Sequence, residues 1–247
     1  MSTLNVNTIT PNSGTTVTIG GSGDTVTLGS GASASGFTSG IVGISTFTAS
    51  GTWTKATREA ALGVTIKRVI VEVQGAGGSG SNDTNSNYAH IGAGGGYAKK
   101  LIDVSSIASS TITVGSGGAG IASAGTPNAG GNSSWSDGTN TITGNGGVGG
   151  SANSSASVNR STAGGTATGG DINIQGGPSS SYYSGQGGFG QSVLGFPGIN
   201  RSSPEPSDAL KDAVGYGAGG GGRDSSINAG NSGSGGDGIV IVTEIAG

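Results

Sequence analysis

The chain has no cysteine, a single histidine, few aromatic residues and few charges. Without cysteine there are no disulfides and no thiolate metal sites. With 10 Lys and Arg against 13 Asp and Glu, and a pI near 4.9, no basic stripe exists to neutralise phosphates, which excludes nucleic acid as a partner. Apolar runs such as Ile239 to Val242 are far too short to span a bilayer, so no membrane insertion is expected. The opening MSTLNVNTIT lacks a basic segment followed by an apolar stretch, which speaks against a cleaved secretory signal and for folding in a cytoplasm. Hydrolytic catalysis needs a base beside a nucleophile, and the lone His90 lies in a Gly/Asn-rich stretch where a histidine is expected to be solvated. The acids are scattered, with Glu205 and Asp208 the nearest to a pair, so no enzyme is expected.

What the chain does have is glycine: 56 of 247 residues, which with 6 prolines make a quarter of the chain. Leu, Ile, Val and Phe together supply only 18%, below the level at which a conventional core is easy to build. Disorder is the first reading of such a composition. Against it, only 9% of residues are charged, and the apolar residues are gathered into a few runs. Glycine loses the most backbone entropy on folding, so a folded glycine-rich chain needs dense backbone hydrogen bonding or a partner chain. A homo-oligomer is the expectation.

The glycine runs begin near residues 75, 92, 115, 144, 185, 217 and 233. They lack the strict period and high proline of collagen. Two arrangements remain open: extended glycine helices of three residues per turn, bonded side by side, or a set of turns and loops. GAGGSG at 75–80 has the spacing of a dinucleotide-binding turn, but no helical period follows it and the same spacing recurs at Gly115, Gly144 and Gly217. Calcium repeats are approached but not completed by GGSGD at 20–24. No cofactor and no metal is expected.

Two regions are indicated. Residues 1–40 carry no aromatic before Phe37 and contain the near-duplicates TVTIGGSGD and TVTLGSGAS, two short strands that cannot bury their apolar face alone. Residues 41–247 alternate strand and glycine run. The strongest strand is 64–74, with Val69, Val71 and Val73 on one face; others are expected at 46–55, 97–104, 111–114, 139–143, 171–175 and 238–245. The β-branched run Ile239 to Val242 suggests burial on both faces of the last strand. Helical signals are confined to 56–62 and 207–214.

Trp53 and Tyr97 lie beside strand patterns and are expected to be structural. Trp135, Tyr182, Tyr183 and Phe196 fall in Ser-, Gly-, Asn- or Pro-rich segments, where side chains carry contacts more often than packing. An exposed aromatic offers a sugar ring or protein a flat apolar face.

The runs TFTASGTWTK (46–55), VTIKRVIVEVQGAGGSG (64–80), GAGGGYAKKLIDVSS (92–106), TITVGSGGAG (111–120) and GGDGIVIVTE (235–244) together resemble the glycine-rich domain at the ends of tailed-phage fibres. MSTLNVNTIT with its TVTIGG repeat is similar to the start of fibre proteins from phages of aquatic bacteria. The resemblance implies an all-β, sandwich-like domain with glycine-rich segments, in a trimeric fibre whose variable loops meet a host glycan or protein. It also implies a virion location, with residues 1–40 joining other virion proteins or trimerising. A capsid decoration or head-fibre role is the alternative. One departure is visible: where the family continues T-W-T-K with proline, ATREAALG is inserted from Ala56. The resemblance carries over no individual binding residue. The candidates for receptor contact are the loop residues Tyr88, His90, Trp135, Tyr182, Tyr183, Phe196, Asn200 and Arg201.

Overall fold

The computed structural model describes residues 40–83, 89–151, 162–179, 189–199, 211–224 and 230–247. The expected N-terminal segment lies outside these but for Gly40. The fold is all-β, with one helix among the described residues. A first sheet orders β1 (Gly40–Phe47), β14 (Ile239–Ala246), β3 (Ile66–Gln74), β5 (Tyr97–Asp103) and β10 (Ile172–Ile174), antiparallel throughout. A second orders β2 (Gly51–Thr54), β6 (Ser109–Thr113), β7 (Ser133–Ser136), β8 (Thr141–Gly144) and β9 (Ala167–Thr168), also antiparallel. Two short pairs stand apart: β11 (Gly195–Phe196) with β12 (Val214–Gly215), antiparallel, and β4 (Asn82–Asp83) with β13 (Arg223–Asp224), parallel. The insert forms α1 (Lys55–Leu62), which ends at Gly63 in the left-handed region. Of the second helical candidate, residues 211–214 are described and none is helical.

Alternation sets the core. Val69, Val71 and Val73 face inward as expected, and cross-strand register puts Val240 and Val242 on one side and Ala98 and Ile102 on the other into the same layer. The second sheet answers with Trp53, Ile112, Trp135 and Ile142. The Trp53 and Trp135 rings are 5.4 Å apart and tilted by 48°, within the range that favours aromatic pairs. Burial of β14 on both faces holds only at its start: Ile239 is buried, whereas Ile241 on the same outer face is half-exposed.

The same register sends Glu244 into the interior opposite Val69. It is fully buried and accepts hydrogen bonds from Ser45 Oγ (2.6 Å), Arg58 Nε (2.8 Å) and Nη2 (3.2 Å), and Trp53 Nε1 (3.2 Å). Burial pushes the carboxyl up, but these donors and the guanidinium charge outweigh it and hold the group below its ordinary value. α1 thus docks by a charge pair, and Gly43 opposite leaves room, since a Cβ there would come within 2.7 Å of Glu244 Oε2.

The two outer faces differ in kind. Register places Thr52, Thr54, Ser109, Thr111, Thr113, Ser134, Ser136, Thr141, Thr143 and Thr168 on the outer face of the second sheet, every one a hydroxyl residue. The outer face of the first sheet carries Ile41, Ile44 and Thr46, then Ile241, Thr243 and Ile245, then Arg68, Ile70 and Glu72, then Lys99, Leu101 and Asp103, and finally Ile172 and Ile174.

At one end of the sandwich the strands continue as glycine segments. The run 75–81 leaves β3 and lies at the centre of a lattice. Its N–H groups point in three directions in turn. Gly75, Gly78 and Ser81 donate to Gly96, Ala93 and His90; Ala76 and Ser79 to Gly131 and Asn128; Gly77 and Gly80 to Gly236 and Gly233, all at 2.8–3.1 Å. Partner numbers fall as residue numbers rise, so these three neighbours are antiparallel. In the other three directions its carbonyls accept from Gly147 and Gly150, from Gly118, and from Gly220 and Arg223. A repeat of three with all bonds going to neighbours is the pattern of extended glycine helices packed side by side. Of the two arrangements the sequence left open, the lattice is the one formed. None of these central glycines has a positive φ, so glycine serves here for closeness, not for backbone freedom. A Cβ at Gly77, Gly78 or Gly80 would meet a neighbouring carbonyl oxygen at 1.8, 2.1 or 2.0 Å. The GAGGSG run thus spends all six of its N–H groups on neighbouring carbonyls and presents none to a pyrophosphate.

Candidate functional site: the far end of the glycine lattice

Connectivity decides where the lattice turns. Segments leave the sandwich after β3, β6, β8 and β10 and return into β5, β7, β9 and β14. Their far ends are tied together. Ser232 N donates to Ile121 O (2.9 Å), and Asn82 Nδ2 bridges Ile121 O (3.0 Å) and Gly230 O (3.1 Å). Arg223 N donates to Ser81 O (2.8 Å), Ser179 N to Thr162 O (2.9 Å) and Gly221 N to Lys211 O (2.7 Å). Five connections in the sequence, 84–88, 152–161, 180–188, 200–210 and 225–229, lie outside the described residues. The sixth connection, 122–127, is described and mostly exposed.

His90 stands at this end, but not as a solvated loop residue. It is 3% exposed, and its backbone is clamped: N donates to Ser81 Oγ (2.7 Å) and O accepts from Ser81 N (2.9 Å). The expectation failed because the Gly/Asn-rich surroundings, read as loop, are lattice. Trp135 is corrected more sharply: it lies in β7, fully buried against Trp53, and has no surface to offer a receptor. Its SSWS context looked like loop, yet Ser and Thr are what the outward positions of that sheet are made of. Phe196 is 71% exposed, in β11 opposite Val214 of β12. Its hairpin stands on the flank near the sandwich, where Tyr216 N donates to Leu194 O and Gly217 abuts Gln74, so Phe196 is not gathered with His90. Tyr88, Tyr182, Tyr183, Asn200 and Arg201 lie outside the described residues.

Sequence reasoning missed Asn82, whose side-chain amide joins two turns, because one asparagine among many carries no signal. Among the described residues no three His, Asp or Glu side chains are placed to hold a metal ion.

The fold defines a class: a β-sandwich whose strands continue into a lattice of extended glycine segments. The profile of the glycine-rich domain family matches residues 48–244, and the chain belongs to that family. No protein of curated function matches the chain.

Proposed function

We propose that the chain is a virion structural protein, a tail fibre or adhesin that attaches a tailed phage to its host surface by binding alone. The observation that carries the reading is the gathering of the lattice turns at one end, tied by the Asn82, Ser232, Arg223 and Ser179 hydrogen bonds. A stiff body that brings several connections to one tip holds recognition residues at low entropic cost, in the way loops on a rigid scaffold carry function. In the sequence, Tyr88, Tyr182, Tyr183, Asn200 and Arg201 fall between the segments that build the lattice. In this reading residues 1–40 join other virion proteins, copies assemble as a homotrimer, and weak contacts to a surface glycan or protein are multiplied by copy number.

The test is binding of the purified full chain to host cells, with protection of those cells from infection. Tyr182→Ser with Tyr183→Ser should weaken binding by roughly tenfold or more, as loss of aromatic anchors does, while leaving thermal stability unchanged. A chain that never binds cells yet stays with capsids is a decoration protein, and the attachment reading then fails.

A further inference from the structure

The outer face of the second sheet shows what solvent asks of these strands: hydroxyl residues at every paired outward position. The outer face of the first sheet departs from that. Ile41, Ile44 and Leu101 there are 68%, 61% and 51% exposed, and Ile172 and Ile174 on β10 continue the patch. The bulge at Val42 is part of the construction. Ile41 pairs with Ile245 and Ile44 with Thr243, so the extra residue keeps both isoleucines on one face, where an unbroken strand would send them to opposite sides.

The charges on this face are balanced. Arg68 and Asp103 are cross-strand partners, and Lys99 Nζ lies 3.4 Å from Glu72 Oε1. Two of each sign leave no net charge, so a copy of the face does not repel it. Sugar recognition draws on exposed aromatic faces, and none of the residues named on this face is aromatic. β1 borders the patch as an edge strand, and GIVGISTF contains neither charge nor proline, the usual guards of an open edge. Five strands about 4.8 Å apart and about seven residues long give a face of roughly 500 Å², so two faces together approach the ~1,000 Å² of a specific interface.

We infer that the outer face of the first sheet is an interface between copies of this chain. The inference rests on the homotrimer part of that reading and names the face that would form it; it is tested without host cells, so attachment to the host and this interface can fail separately. The full chain, measured by light scattering after gel filtration, is expected at two or three times its 23.2 kDa mass. Ile44→Lys combined with Leu101→Lys should bring it to a single chain mass with an unchanged circular dichroism spectrum. Because the chain has no cysteine, a thiol introduced by Leu101→Cys reports cover directly. It should react with a maleimide about tenfold more slowly than one introduced by Val214→Cys, and adding Ile44→Lys should abolish the difference, since thiol reactivity follows access. A wild-type chain at single mass, or a double variant that keeps the multiple, overturns the proposal. So does a slow thiol at position 101 in a single chain, because the chain's own residues then cover the face.

Discussion

Val71 in β3 and Gly77, six residues further along the same run of chain, are both buried, yet burial means opposite things at the two positions. Around Val71 the sheets stand a side-chain layer apart, and the space is filled by Val242, Trp135 and their neighbours. Around Gly77 the chains stand at hydrogen-bonding distance in all directions, and there is no layer to fill. A sheet has this closeness only within its plane, and needs about 10 Å to the next sheet. The sandwich is held by apolar area removed from water, and the lattice by backbone hydrogen bonds that offset the large entropy cost of ordering glycine. With so little Leu, Ile, Val and Phe, the chain has a side-chain layer to fill in the sandwich and none to fill in the lattice.

The largest effect should come from adding one methyl group where there is no layer. Gly77→Ala puts a Cβ 1.8 Å from Ala218 O, and backbone cannot rotate away as a side chain does. Adjacent segments must separate, and every bond along that row lengthens. A loss of more than about 5 kcal/mol is expected, among the largest for any point substitution; chemical denaturation of the variant, or its failure to accumulate in soluble form, checks this. A well-folded Gly77→Ala protein with near wild-type stability would mean that the lattice is not close-packed.

The sandwich should respond to the opposite change. Trp135→Ala removes a fully buried ring and is expected to cost about 4 kcal/mol, read as a lower denaturation midpoint. Trp53→Ala should cost a similar amount, and the double variant less than the sum, because the rings touch at a 5.4 Å centroid distance.

The sandwich was the more legible half. Period-two alternation in 64–74 marks Val69, Val71 and Val73 as inward, and they are. The β7 strand was hidden because Ser134 and Ser136 look like loop, although Ser and Thr are the outward residues of that sheet, and Ser133 is buried on the inner side. The lattice could not be recognised from pattern, since its period of three shows only in which neighbour each N–H meets, and those neighbours lie 9 to 159 residues away, as with Ser81 to His90 and Gly77 to Gly236. Of the site candidates, His90 and Trp135 were misplaced for these two reasons, and Phe196, expected on a loop, is an exposed strand residue on the flank.

A third test concerns Glu244, a charged group buried in the sandwich. Glu244 has its carboxyl held below the ordinary value of 4.5, by Arg58, Ser45 and Trp53 acting against burial. A depressed folded value stabilises the fold above the unfolded value, and that stability is lost as pH falls through the lower folded value. Melting temperature should therefore drop below about pH 4.5, and Glu244→Gln should melt lower at neutral pH with a flatter acid limb. Arg58→Ala should cost about 2 kcal/mol, less than a fully buried pair because the Arg58 side chain keeps 29% of its surface in water.

The smallest effect separates two uses of glycine. Gly63 ends α1 at φ 69 and its N–H donates to Glu59 O, but nothing lies within 4 Å of where a Cβ would stand. Gly63→Ala therefore meets no neighbour and pays only the left-handed conformation, about 1 kcal/mol, with Gly63→Asn costing less because asparagine tolerates that region. Gly125 in the exposed turn has neither demand: its φ is not positive and the nearest atom is 3.9 Å away. Gly125→Ala should leave stability unchanged or raise it by up to about 1 kcal/mol, by narrowing the unfolded ensemble. Equal costs at positions 63, 77 and 125 would show that glycine is needed everywhere for backbone freedom. A steep order, with 77 far above 63 and 63 above 125, assigns the lattice glycines to contact distance and leaves freedom to the caps.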